Sequence, residues 1–147
     1  MRFEMQIPSD EIQQLAGHPA AGAMLTASVC RRLLDATVVL NRILLRLYRM
    51  RGRPLPLLYA SRVVYRREPN PNNLVDCVTL YKRGWGDCKH LTAWRLAELA
   101  EHGFEAHPLI YWRLDEHGAP FIYHAELRHG PRNGHGPRED PSRFLGM

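Results

Sequence analysis

Hydrophobic and polar positions alternate with two different periods along this 147-residue chain. In the first third the period is helical. From about Ala20 to Met50, the residues Leu33, Ala36, Leu40, Ile43, Leu47 and Met50 recur at helical spacing, and Gly52 and Pro54 stop the run. Such a stripe is expected to face a core, with Arg31, Asp35, Arg42, Arg46, Arg49 and Arg53 on the solvated side. Ahead of it, Ser9 or Asp10 reads as the cap of a short helix ending near Ala16, before Gly17-His18-Pro19.

Farther along, the period shortens to two. In Phe121-Ile122-Tyr123-His124-Ala125-Glu126-Leu127, alternation puts Phe121, Tyr123, Ala125 and Leu127 on one face of a strand. Ile122, His124 and Glu126 take the other face. Phe104 to Leu114 reads as its antiparallel partner across an Asp115-Glu116-His117-Gly118 turn. Between these halves, Ala60 to Tyr65 predicts a short strand, and Asn73 a cap for a helix from Leu74 to Tyr81. Residues 130–137 are too turn-rich for regular structure and predict a mobile surface loop. The fold class is α+β in a single domain. Residues 1–58 form a helical, basic part, and residues 59–147 a core in which a central helix packs on a small antiparallel sheet.

The central helix is the most informative stretch. Gly84-Trp85-Gly86 allows a tight turn, Asp87 is a strong cap, and the alanine- and leucine-rich run that follows ends at Gly103. Cys88 therefore sits in a first helical turn. There, unpaired amides and the positive end of the helix dipole favour a thiolate and can hold an oxyanion. A thiol nucleophile needs a base, and the base an orienting group. His124 is an imidazole on a rigid strand, and Asp140 a carboxylate where Pro141 ends any ladder. Glu126, on the face of His124, and Glu139, beside Asp140, are rival acids. Trp85, Gly86 and Asp87 line the approach, with Trp85 read as a lid, an indole donor to the oxyanion, or structural filling.

Composition adds limits. Hydrophobic residues at 45% and charged residues at 24% are ordinary for a globular domain. No apolar run approaches a membrane span. Met1 to Gln6 lacks a signal peptide's apolar centre, so a cytoplasmic location is expected rather than secretion. Three cysteines do not make a disulfide framework, and Cys30 and Cys77 lie among apolar neighbours, as inert buried thiols do. The net charge is +5. Between Arg31 and Arg53, seven arginines stand against one aspartate, which makes Arg42, Arg46, Arg49 and Arg53 a face for an acidic partner or a plain solvated surface. No aromatic interleaving or known module supports nucleic-acid binding.

The glycine-flanked Gly-Asp-Cys opening an alanine-rich helix, the Gly-Phe-Glu-Ala strand, the Tyr-His-Ala strand and the closing Asp-Pro-Ser together resemble the transglutaminase-like branch of the papain-like thiol enzymes. The likeness covers about Val64 to Met147, and the flanking Val64-Tyr65-Arg66-Arg67-Glu68-Pro69 and C-terminal Arg-Phe-Leu-Gly-Met look most like small phage- and prophage-encoded members. The resemblance implies a papain-like core, with Cys88 as nucleophile, His124 as base and Asp140 as orienting acid, 36 (124 − 88) and 16 (140 − 124) residues apart. It implies acyl transfer on a protein or peptide amide, as a cysteine peptidase, amidase or transglutaminase, with no cofactor. Lys89 and His90, and Ala125-Glu126 after the histidine, depart from the family's usual residues and imply a different cleft. Two other readings compete with catalysis. One is a structural or assembly module of a phage or prophage on the same fold. The other is a zinc site from Cys88, His90, His124 and His129, for which Cys-x-His is not a usual ligand spacing.

Overall fold

The computed structural model describes residues 2–4, 19–70, 73–114 and 120–147. The short helix expected near Ser9 and the turn at Asp115-Gly118 lie outside them. In chain order the described elements are β1 (Arg2–Glu4), α1 (Pro19–Met50), a 3-10 turn (Leu58–Ala60), β2 (Val64–Tyr65), β3 (Asn73–Val75) and α2 (Cys77–Arg83). They continue with β4 (Trp85–Gly86), α3 (Cys88–Glu101), β5 (Ala106–Leu114), β6 (Pro120–His129), β7 (Arg138–Glu139) and α4 (Pro141–Phe144). The class is α+β. No helix among the described residues is long and apolar enough to cross a membrane.

Helix α3 is the hub. Leu91, Thr92, Ala93, Trp94, Leu96, Ala97, Glu98 and Leu99 are all buried. On one side Leu91, Trp94 and Ala97 pack with Leu45, Leu58, Val63, Val75, Cys77, Val78 and Leu80. On the other, Leu96 and Leu99 meet Leu127 of β6. A helix covered nearly all round needs no strong amphipathic stripe, and two of its buried polar side chains bond inside the fold. Glu98 accepts the Leu58 backbone N–H, and Thr92 Oγ donates to the Ala125 carbonyl at 3.1 Å.

The sheet β5-β6-β7 is antiparallel, with Tyr111 opposite His124 and Leu127 opposite Glu139. Ala125 and Leu127 are buried, as the alternation on β6 requires. The turn-rich residues 130–137 close the β6–β7 hairpin, and the loop is tied down. The Gly130 N–H donates to the Glu105 carbonyl at 2.7 Å, and Arg132 bridges to Asp35 of α1 at 3.0 Å. Among the described residues there are also two short ladders: β1 against β3, antiparallel, and β2 against β4, parallel.

Two local expectations are corrected. The segment after Asn73 is not a helix capped by that residue. Asn73, Leu74 and Val75 extend to pair with β1, and Asp76 caps α2 by accepting from the N–H groups of Val78 and Thr79. A buried strand outweighs local helix propensity here. The second correction concerns α1. Its core side carries Leu34, Thr37, Val38, Asn41, Leu45 and Tyr48, while Ala36, Val39, Ile43, Leu47 and Met50 face outward. Two polar side chains of the buried face find partners inside: Thr37 Oγ donates to the Leu33 carbonyl, and Asn41 Oδ1 accepts the Cys77 N–H at 2.8 Å. Nor do the arginines form a plain solvated stripe, since Arg42, Arg46 and Arg49 converge on Glu101 at the end of α3, at 3.0, 2.8 and 3.7 Å.

Candidate active site

The chain enters α3 through a sharp reversal. Gly84 ends α2 in the left-handed conformation (φ 75°), a position that favours glycine. Strand β4 then runs beside β2, fixed by Val64 N–H to the Gly84 carbonyl (3.1 Å) and Arg66 N–H to the Gly86 carbonyl (2.8 Å). A Cβ on Gly86 would come 2.9 Å from Leu80 Cδ2 and 3.3 Å from His90 Cβ. Both neighbours are fully buried. Gly86→Ala is therefore expected to lower stability by about 1–3 kcal/mol, read as a fall in the urea midpoint, because a packed wall must shift.

Asp87 caps α3, and His90 Nδ1 lies 2.7 Å from its Oδ1. Burial alone would raise the Asp87 carboxyl, but the hydrogen bond and charge of His90, with the charge of Lys89, pull it down to about 2. His90 is buried, with Nε2 2.8 Å from the Asn73 carbonyl. Thus Asp87, Lys89 and His90 fix the start of the helix, and Cys88 occupies its first position, partly exposed. The first-turn amides have no carbonyl one turn earlier to bond. Trp85 is no open lid: the Arg83 guanidinium lies 3.7 Å from its ring centroid, with Arg66 at 5.2 Å.

One turn beyond Cys88 on the same face stands Thr92, whose hydroxyl holds the Ala125 carbonyl. That bond pins β6 against α3 one residue from His124. His124 Nε2 lies 2.9 Å from Asp140 Oδ2. His124 is held up at about 9, first by its hydrogen bond with Cys88, against burial, and then by the hydrogen bond and charge of Asp140. Asp140 divides its two oxygens. Oδ1 accepts from the N–H of Ser142 (3.0 Å) and Arg143 (3.4 Å), capping α4, and Oδ2 faces the imidazole.

The rival acids fall on either side of this pair. Glu139 faces away, held by Arg95 Nε at 2.6 Å, His129 Nε2 at 2.7 Å and the Tyr59 hydroxyl. Burial raises its carboxyl, but these three donors outweigh it and bring it below the ordinary range. Since Arg95 also bonds Glu98, this network fastens β7 to α3 and so sets where Asp140 begins. Glu126 lies close, with His124, Glu126 and Asp140 offering polar atoms within 4.8 Å of one another, and it pairs with Arg138 at 3.5 Å. The four candidate zinc ligands do not gather, because His90 is committed to Asn73 and Asp87, and His129 to Glu139. A cleft of about 660 Å³, walled by Tyr59, Arg95, Glu126, Arg138 and Phe144, reaches the site from the side of Asp140.

Two neighbours escape sequence reading. Thr92 carries no chemical signature in a helix, and only a bond across the fold reveals it. Tyr65, opposite Gly86 in the β2–β4 ladder, has its phenol raised, first by burial and then by the nearby Cys88, Asp87 and Asp140. Its position could have been suspected only from the Val64–Tyr65 strand signal. Burial pushes the Cys77 thiol up to about 12, and it raises Cys30 as well. No family model, no curated protein and no solved structure matches the chain.

Proposed function

We propose that the chain is a thiol-dependent acyl-transfer enzyme acting on amides through Cys88, His124 and Asp140. The observation that carries this reading is the hydrogen bond of His124 Nε2 to Asp140 Oδ2 at 2.9 Å, on an imidazole raised first by the neighbouring Cys88. A nucleophile at a helix start, a base in contact with it and an acid behind the base are the three roles the chemistry needs. The likeness of the Gly-Asp-Cys, Tyr-His-Ala and Asp-Pro-Ser segments to transglutaminase-like enzymes supports the same assignment.

In this mechanism His124 holds the proton of the Cys88 thiol, and Asp140 keeps the imidazolium oriented. The sulfur attacks the carbonyl carbon of a substrate amide. As the C–S bond forms, the carbonyl electrons move onto oxygen, which the first-turn amides of α3 stabilise. Collapse of this intermediate breaks the C–N bond, and the amine leaves with the proton from His124. The thioester that remains is opened by water, which gives up a proton to His124 and yields the acid. A primary amine in place of water yields a new amide.

The test is intact-mass analysis of the protein with glutamine-containing peptides and peptide amides, with and without a fluorescent primary amine. An acyl adduct on Cys88, followed by release of acid or capture of the amine, is the expected result. If no substrate leaves an adduct and Cys88 alkylates no faster than Cys30, the proposal fails, and the fold is better read as a non-catalytic assembly module.

A further inference from the structure

Helix α1 turns an apolar face to solvent. Val39 is 56% exposed, Ile43 50%, Leu47 40% and Met50 82%, and Met24 and Leu25 continue the face toward the start of the helix. With Leu33, Ala36 and Leu40 between them, the stripe spans about 38 Å from Leu25 to Met50, at 1.5 Å rise per residue. An exposed apolar surface of this length on a globular domain marks an interaction site.

The spacing says what shape fits. Leu33, Ala36, Leu40, Ile43, Leu47 and Met50 follow one another at alternating steps of three and four residues. This is the period with which one helix meets another along a seam, each side chain entering a hole of the facing helix. The charge says what chemistry fits. Along one edge of the stripe run Arg42, Arg46 and Arg49, three guanidiniums that share the single carboxylate of Glu101. Arg46 and Arg49 remain more than half exposed, and Arg32 stands exposed within the stripe. The opposite edge turns into the core through Thr37 and Leu44.

We propose that this face binds an amphipathic helix of another protein, with an apolar seam and acidic residues along the flank that meets Arg42, Arg46 and Arg49. A second copy of this chain fits less well, since an antiparallel pairing about a two-fold axis sets each arginine edge against its like. An anionic membrane surface fits less well too. Helices that lie in that interface carry cations on both margins of the apolar face, and here one margin is the protein's own core.

The probe is a fluorescently labelled 28-residue peptide with leucine at both seam positions of each heptad and glutamate at the flanking positions. A peptide identical except for lysine in place of glutamate serves as comparison. Anisotropy titrations of the full chain are expected to show the glutamate peptide binding at least about tenfold more tightly than the lysine peptide. Ile43→Asn with Leu47→Asn should weaken that binding by about tenfold or more, and Arg46→Glu with Arg49→Glu should reverse the preference. Ile43 and Leu47 are exposed, so circular dichroism and Cys88 alkylation of the Asn pair should stay as in the parent, and the Glu pair, which gives up the Glu101 ion pairs, is titrated at a temperature where its circular dichroism matches the parent. Failure of the glutamate peptide to bind, equal affinity for both peptides, or insensitivity to the Asn pair would each overturn the proposal. So would sedimentation showing a dimer, or pelleting with phosphatidylserine vesicles, that the Asn pair abolishes.

Discussion

Replacing His124 by alanine is expected to slow iodoacetamide labelling of Cys88 at pH 6 by about thirtyfold, with Cys30 and Cys77 as internal references. An isolated thiol at its reference value of about 8.5 is only ~0.3% thiolate at that pH. In the proposed mechanism His124, raised to about 9 beside Cys88 and Asp140, takes the proton of the attacking sulfur. Loss of a positioned base typically costs about a hundredfold or more in a chemical step, and alkylation, which needs no proton delivered to a leaving group, is expected to lose a smaller factor. Cys77 and Cys30 supply no competing signal at this pH, because burial raises both. The readout is peptide mapping of the label against time in the two proteins. Equal rates for Cys88 would remove His124 as its base and, with it, the acyl-transfer proposal.

The legible part of this fold is the part where chemistry and local structure coincide. Asp87 and the glycines around Trp85 announce the start of α3 because capping and tight turns depend on residues close in sequence. The alternation around His124 announces β6 for the same reason, and Ala125 and Leu127 are buried as it requires. What could not be read depends on distant partners. Asn73 to Val75 follow helix-like local preferences until β1 pairs with them. Thr92 is silent until its hydroxyl reaches the Ala125 carbonyl.

Helix α1 is the instructive failure. Its more apolar face turns outward, while Thr37 and Asn41 sit in the core with their hydrogen bonds made locally or to the Cys77 N–H. Periodicity ranks faces by hydrophobicity and assigns the more apolar one to the core, which holds only when one of two faces is to be covered. Here both faces are apolar, so the ranking is inverted. The same inversion that misled the sequence reading is what leaves a seam for a second helix.

Asp140 separates charge from orientation, and two substitutions tell them apart. In Asp140→Asn the side-chain oxygen can still accept from the imidazole, but the negative charge is gone. The alkaline limb of acyl transfer, where the His124 imidazolium that protonates the leaving amine is lost near pH 9 in the parent, should move down by about one unit, the size of effect a neighbouring carboxylate exerts. The rate at pH 6 should change little. In Asp140→Ala orientation is lost as well, and a displaced imidazole should cost about a hundredfold in acyl transfer. Stability follows with a defined sign. The folded-state value of His124 lies above its reference of 6.5, so its contacts stabilise the fold fully below about pH 6.5 and fade as the pH rises through about 9. The destabilisation of Asp140→Ala, measured by urea unfolding, should thus be larger at pH 6 than at pH 9.5. The lost cap on Ser142 and Arg143 contributes about 1 kcal/mol at both. Were the two pH values to give the same loss, Asp140 would be acting as a helix cap and not as the partner of a charged His124.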